Sequence, residues 1–425
     1  MNQTTQTKMK WVRSRFTLII ALVLLGLFVW FIFGWLVGPR PAWNTLPNLV
    51  QSYFRNNSKL SKDIELLPAT GDLNYLRLPP NFQIKIFASE LGGPNLYIPG
   101  VNGGVRQVVV KNGVVYATIH KTGQVVALFD RDQNSLAEDS KVFLENLSLP
   151  HGIDTYQNWI YVGENDKIIR VQDSNSDGVA DGPVEKLVDL PPLLEHWTRT
   201  VHIFPDPNEP DNSDPKMFIT VGSSCSACIE SNPWRAVMLK CETDGKNCQV
   251  YARGLRNSVD FVSYQNKIYA TDTGKDLVAN DFPPDELNII QSGKDYGWPY
   301  CYGKQIHDTT FDALKNPCPQ TQPSLAELTP HSTPLGIDGY TGNNFPGDYK
   351  NSLFITLHGS YHSKPPSGYK VVRVDPATGQ VTDFITNFID GNGIHGRPVD
   401  VINYRDGLLI TDDKAGKIYY IDYQV

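Results

Sequence analysis

Apolar and polar residues alternate over short runs, and those runs recur in one order six times along the chain. Each unit has a short apolar strand, a polar turn, a second strand ending near Thr, Gly or Asp, and then a strand that a Gly often leads. The first unit, QVVVKNGVVYATIHKTGQVVALFD, starts at Gln107; the others start at Pro150, Arg199, Arg256, Thr333 and Arg397. A period of two is the signature of strands with one buried face. One such unit cannot bury its own apolar face, so units of this size must stack. Four-stranded units closing around an axis form a propeller, which leaves only short, protected strand edges. The expected fold is therefore all-β, a six-bladed β-propeller over residues 78–425, preceded by one N-terminal transmembrane helix. The run NFQIKIFAS from Asn81 also alternates and is expected to supply the outermost strand of the last blade. Function is expected at the mouth of the central channel.

The N-terminal helix rests on Phe16 to Val37, an apolar stretch with no charge, long enough at about 20 residues to cross a bilayer. Lys8, Lys10, Arg13 and Arg15 precede it and only Arg40 follows closely, which keeps the N-terminus cytoplasmic and exports the rest. The resulting division is a cytoplasmic tail (1–15), a membrane anchor (16–38), a stalk or helical lead-in (39–77) and a periplasmic or extracellular propeller. A cleaved signal peptide is the alternative, although the segment ends Trp35-Leu-Val-Gly-Pro-Arg40 rather than in small residues. Export suits the six cysteines, close neighbours as Cys225/Cys228, Cys241/Cys248 and Cys301/Cys318. Such spacing in an exported domain suggests disulfides that close loops, with the pairing left open. Zinc at Cys225-Ser-Ala-Cys228 is the other reading, but no His stands at ligand spacing. A net charge of −7 and the lack of any basic run exclude nucleic acid as a partner.

Two sets of residues carry candidate chemistry. Asp173, Asn175 and Asp177, with Gly178 for the turn and Asp181 beyond it, place oxygens at positions one, three, five and nine of a calcium-type loop. Position twelve is Val184, so the bidentate Glu is missing and a simple polar turn is the competing reading. The loop is expected between blades, as a structural site. The second set opens the repeats: His196 and Arg199 in the third, Arg256 and Asn257 in the fourth, Arg397 in the sixth, with His151 in the second. Converging Arg side chains suit an anionic ligand, and His is the natural proton acceptor near neutral pH. Strand capping or pairing with Asp260 and Asp400 would also account for them.

Several motifs together resemble the soluble quinoprotein glucose dehydrogenase and L-sorbosone dehydrogenase family. They are His196-Trp-Thr-Arg-Thr200, Val221-Gly-Ser-Ser-Cys-Ser-Ala-Cys228, Gly254-Leu-Arg-Asn-Ser258, Pro284-Asp-Glu-Leu-Asn288, Tyr296-Gly-Trp-Pro299, His358-Gly-Ser360, Gly396-Arg-Pro398 and Thr411-Asp-Asp413. The resemblance, from about Leu78 to the C-terminus, implies a six-bladed propeller that oxidises sugars with pyrroloquinoline quinone (PQQ) and Ca2+. It implies His196 as general base, with Arg256 beside it. Arg256, Asn257, Arg397, His358 and Thr411 would face the cofactor. Carbonyls of Gly274 and Lys275 would hold the catalytic calcium, and Glu286 and Tyr296 a second, structural one. The chain departs from the family pattern at Val399, Ser223 and His358, where arginine, aspartate and lysine are expected, and at Tyr361-His-Ser363, where a further arginine is lost.

The leading expectation is thus a membrane-anchored, PQQ- and calcium-dependent dehydrogenase of an aldose or sugar aldehyde, handing electrons to a respiratory quinone or cytochrome. The alternatives are a non-catalytic carbohydrate- or protein-binding propeller and a calcium-dependent, lactonase-type hydrolase. The hydrolase needs acids gathered on a channel calcium, for which Glu195, Asp272 and Asp413 are the candidates.

Overall fold

The computed structural model describes residues 66–92, 104–192, 195–209, 214–276, 281–311, 316–361 and 363–424. The expected tail, anchor and most of the lead-in lie outside them. Among the described residues no helix is long and apolar enough to cross a membrane.

Six four-stranded antiparallel sheets follow one another along the chain. Their first strands are Val105–Lys111, Ile153–Tyr156, Arg199–Pro205, Phe261–Tyr264, Pro334–Gly339 and Pro398–Tyr404. Each first strand packs against the first strands of neighbouring sheets, so these six line the axis and the sheets radiate as blades. The chain turns sharply between first and second strands. In blade one it does so at Asn112-Gly113, with φ of 50° and 83°, the left-handed pair a two-residue hairpin needs.

The ring closes as the alternation at Asn81 implies. Phe82–Ala88 pairs with Lys417–Tyr423 and becomes the outer strand of the sixth blade. The described end of the lead-in is a small hairpin, Leu67–Pro68 with Arg77–Leu78, around a short 3-10 turn at Gly71–Leu73. Leu73, Leu76 and Leu78 are buried in the core between blades five and six, so this end packs on the propeller.

Six apolar clusters among the described residues each straddle one blade junction. Polar bonds reinforce the same junctions. Thr118, Thr271, Thr356 and Thr411, each near the end of a second strand, donate Oγ1 to the next blade at His151 O, Leu335 O, Val399 O and Arg106 O, at 2.7–2.8 Å. Asp154, Asp260, Asp338 and Asp400 accept the backbone N–H of Ile203, Ile337, Asn403 and Val108 in the next blade. A buried carboxylate or hydroxyl is tolerable only when so partnered.

Candidate functional site at the channel mouth

Starts of first strands and ends of second strands meet at one end of the channel, so the residues that open the repeats converge there. His196 precedes the first strand of blade three. Its Nδ1 lies 2.7 Å from Ser223 Oγ and 3.1 Å from Ser223 O. The Ser223 hydroxyl donates to Cys225 O at 2.8 Å, so toward His196 it accepts. A carbonyl can only accept. Nδ1 therefore carries the proton, and Nε2 keeps the lone pair. Burial, then the charge of Arg256, lowers the His196 pKa to about 3, so the ring is neutral at physiological pH. Gly222 makes the approach possible: a Cβ there would lie 2.6 Å from Asn257 Oδ1 and 2.7 Å from His196 Cβ.

Arg256 and Asn257 stand beside His196. Asp272 accepts both of their backbone N–H groups, at 2.9 and 2.6 Å. The Arg256 guanidinium donates to Ser226 O, Ser226 Oγ, Thr273 O and Asp276, tying the Cys225–Cys228 loop to the mouth. Across the channel, Arg397 donates to His358 O at 3.2 Å and to Gly359 O, and its guanidinium lies 4.4 Å from the Tyr361 ring centre.

A buried chain of polar groups joins the two sides. His358 Nε2 lies 3.0 Å from Asp413, which takes Arg106 at 2.7 Å; Arg106 Nε donates to His151 Nδ1 at 3.2 Å. His120 stacks on Trp197 at 4.1 Å, and His151 meets the same ring edge-on. Burial and then the Arg397 charge lower His358 to about 4; burial and then the Arg106 charge do the same to His120. Burial pushes Asp413 up, but its interaction and hydrogen bond with His358 and then the Arg106 and Arg397 charges outweigh it and bring it down to about 2. The mouth is thus ringed by neutral imidazoles and compensated charges.

Gly274, Lys275, Glu286 and Tyr296, expected at two separate calcium sites, line one cavity of about 20 Å³, with Asp272 and Asp308. Asp272 and Glu286 face each other in register on adjacent strands. Burial raises Asp272 to about 7, and burial with the Asp272 charge raises Glu286 to about 8. Asn288 donates to Glu286, and its Oδ1 is buried without a partner. Each oxygen of these two carboxylates already accepts an N–H, from Arg256, Asn257, Asn288 or Gly303, so a hard cation here would draw on their remaining lone pairs. The side chains of Lys275 and Tyr296 are excluded as ligands. Lys275 Nζ pairs with Asp308 at 2.7 Å, and the Tyr296 hydroxyl serves Ile289 O and Gln291 N.

Two sequence expectations need correcting. Thr411 does not face the mouth as a cofactor contact; its hydroxyl is an inter-blade bond to Arg106 O and accepts Asp400 N. The Asp173–Asp181 loop lies within blade two, after its third strand, not between blades. There Asp173 takes the Tyr116 hydroxyl, Asp177 N and Gly178 N; Asn175 takes Asp177 N, and Asp181 takes Ser174 N. The acids wanted for a hydrolytic calcium are also dispersed: Glu195 is exposed, Asp272 caps backbone and Asp413 is ion-paired. All six cysteines pair locally as Cys225–Cys228, Cys241–Cys248 and Cys301–Cys318, so the zinc reading of the first pair falls.

Sequence reasoning missed Arg106, His120 and the role of Trp197. The repeat carried a signal for His120: Thr118-Ile-His120 repeats Thr356-Leu-His358. Arg106 falls at the repeat position that Val399 holds in the sixth blade, so nothing in the repeat marked it.

Fold and site define a six-bladed propeller with a polar, histidine- and arginine-ringed mouth. The chain belongs to the TrAA12-like family, whose pattern matches residues 82–390. It is 34% identical over 384 residues to an uncharacterized protein of Borreliella burgdorferi, covering 82% of this chain and 91% of that one. It is 24% identical to a pyrroloquinoline quinone-dependent pyranose dehydrogenase of Coprinopsis cinerea, over 68% of this chain and 48% of that protein. This chain thus spans about half the length of the fungal enzyme. Among solved structures, the calcium structure of the Trichoderma reesei AA12 carbohydrate-active enzyme superposes with a TM-score of 0.69 at 17% identity, covering 84% of this chain and all of that one. That likeness establishes the fold.

Proposed function

We propose that the chain is a PQQ- and calcium-dependent dehydrogenase of an aldose or related sugar aldehyde, with His196 as general base. The observation that carries this reading is the tautomer of His196: Nδ1–H is committed to Ser223, which leaves Nε2 unprotonated to take a hydroxyl proton. The mouth also fits a planar, acidic quinone. Arg256 and Arg397 supply positive charge, Tyr361 a flat face, and Asn257 Oδ1 and Thr273 Oγ1 are buried without partners. When bound, the quinone would accept a hydride and a calcium ion would polarise it. Arg256, Asn257 and Arg397 would hold the quinone; the carbonyls of Gly274 and Lys275 would hold the ion. His196 then removes the proton that balances loss of hydride from the sugar carbon. Three disulfides support an oxidising, exported setting, where a respiratory quinone or cytochrome would take the electrons.

One observation favours a second reading, a propeller that binds carbohydrate without turnover. Arg256 already serves Ser226, Thr273 and Asp276, and Arg397 serves two carbonyls, so both have fewer donors for a cofactor. Reconstitution separates the two. The purified chain is loaded with calcium and PQQ, and quinone absorbance is followed while aldoses are added with an artificial acceptor. Sugar-dependent bleaching that His196→Ala abolishes establishes the dehydrogenase. Failure to bind PQQ at micromolar concentration overturns it and leaves the binding propeller.

A further inference from the structure

We infer a calcium site that clamps the seam of the ring, in the loop Asp130–Glu138 of blade one. This loop follows the third strand of its blade, Gln124–Phe129, as the Asp173 loop follows Lys167–Gln172 in blade two. It repeats the spacing too: Asp130, Asp132 and Asn134 at positions one, three and five, and Glu138 at nine. Carboxylate oxygens of Asp130, Asp132 and Glu138 lie within 4.8 Å of one another.

An independent observation points to a ligand. The Asp130 side chain is wholly buried. Its Oδ2 takes Ser135 N at 3.1 Å, the Tyr404 hydroxyl at 2.9 Å and Arg405 at 2.8 Å, while its Oδ1 is buried with no donor at all. A buried carboxylate oxygen left bare is costly and calls for a bound ion or water. Of the two guanidinium groups at the loop, Arg131 pairs with Asp139 outside the set, so the three carboxylates keep only Arg405 and carry two negative charges, the complement of one divalent cation. All the donors are oxygen, which selects calcium over softer metals.

The two loops share their turn bonds: Asn134 donates to Asp132 and Arg131 N to Glu138, as loop N–H groups do in blade two, and Lys85 Nζ sits on Asn134 O as Lys111 Nζ sits on Asp173 O. They differ at position one, where both Asp173 oxygens accept donors, from Tyr116, Asp177 N and Gly178 N, while Asp130 Oδ1 accepts none. Both loops border an open cleft of about 390 Å³, whose charged lining is Asp130 and Asp177 with Arg131, Lys141 and Arg405.

The position assigns the role. Tyr404 and Arg405 belong to the first hairpin of the last blade. Ala137 N donates to Phe87 O at 2.8 Å, and Lys85 Nζ to Asn134 O at 2.6 Å, both on the strand that closes the ring. An ion in the loop ties the first blade to the last and stabilises the folded ring by mass action.

The test measures calcium stoichiometry and calcium-dependent melting of the full chain after chelator treatment. Asp132→Asn/Glu138→Gln is compared with Asp177→Asn in blade two; Asp132 and Glu138 are exposed, so neither change cuts the core. The double variant should lose one calcium per chain and most of the calcium-induced rise in Tm, while Asp177→Asn keeps both. Unchanged stoichiometry and melting in the double variant overturns the site, as does loss of that ion in Asp177→Asn. Terbium emission sensitised through Tyr404 supplies a second readout. Calcium should quench it by competition, and Asp132→Asn alone should weaken terbium binding by roughly tenfold or more. Terbium emission equal in wild type and Asp132→Asn refutes the assignment.

Discussion

Ser223 holds His196 by two oxygens at once, its hydroxyl at 2.7 Å and its carbonyl at 3.1 Å from Nδ1. The carbonyl sets the tautomer, and the hydroxyl adds a second acceptor without adding charge. With no carboxylate at this position, little opposes the burial and the Arg256 charge that bring the ring to about 3. The acid limb of kcat/KM should then lie below pH 5. His196→Ala should lower kcat/KM by about 10²–10⁴. Ser223→Asp places a carboxylate on Nδ1–H and should move the acid limb up by roughly 1–3 pH units. A pH–rate profile of the reconstituted enzyme checks both; a wild-type inflection near 6.5 would contradict the assignment.

Asp413 anchors the other side of the mouth through Arg106 and His358, with its side chain wholly buried. Removing one partner of a buried ion pair strands the other, so Asp413→Ala should cost about 3–5 kcal/mol of stability. Arg106→Met/Asp413→Leu removes both charges and should be milder than the single change. Denaturant titration of the three proteins measures the coupling; equal losses for the single and double variants would show that the pair is not a unit.

Thr411 separates scaffold from site. Thr411→Val strips a partner from Arg106 O and Asp400 N, both buried, and should cost about 1–3 kcal/mol. Quinone affinity at a saturating temperature margin should stay within about twofold, since the hydroxyl faces the next blade. A selective loss of PQQ binding with unchanged Tm would reverse that reading.

The Thr411 correction shows where sequence reasoning reaches its limit. Period-two alternation announces strands, and six recurrences announce blades, because both follow from burying one sheet face. Asn81–Ser89 announced ring closure for the same reason. A Thr near the end of a second strand recurs at Thr118, Thr271 and Thr356, so repetition marks it as scaffold even beside a motif such as Thr411-Asp-Asp413. The repeat also held His120, in register with His358, whereas Arg106 stands in register with Val399, so repetition gave no signal for it. What local sequence cannot carry is which blades meet across the mouth: Asp413 reaches Arg106 across the seam, and His120 reaches Trp197 two blades on. The Asp173 loop was legible as an oxygen-rich turn, but the lysines that fill it come from blade one, outside any local motif.

The imidazole ring should also govern stability in acid. His120 is lowered to about 4 in the fold and returns to about 6.5 when unfolded. Between those values the unfolded chain binds a proton that the folded chain refuses. Its contribution is therefore complete above pH 6.5 and is lost as the pH falls toward 4. His196 and His358 act in the same direction. Buried acids oppose them: Asp272, Asp285 and Asp412, raised to about 7, 6 and 6, keep protons in the fold and favour it at lower pH. The overall slope mixes both signs, so the difference between two proteins is the informative quantity. His120→Gln removes one titrating ring, and its stability relative to wild type should climb by up to about 1.4 kcal/mol per pH unit as pH falls from 6.5 toward 4. Loss of the stack on Trp197 adds only a constant offset. Unfolding titrations at pH 7.5, 6.5, 5.5 and 4.5 check the slope; parallel curves would mean that His120 titrates alike in both states.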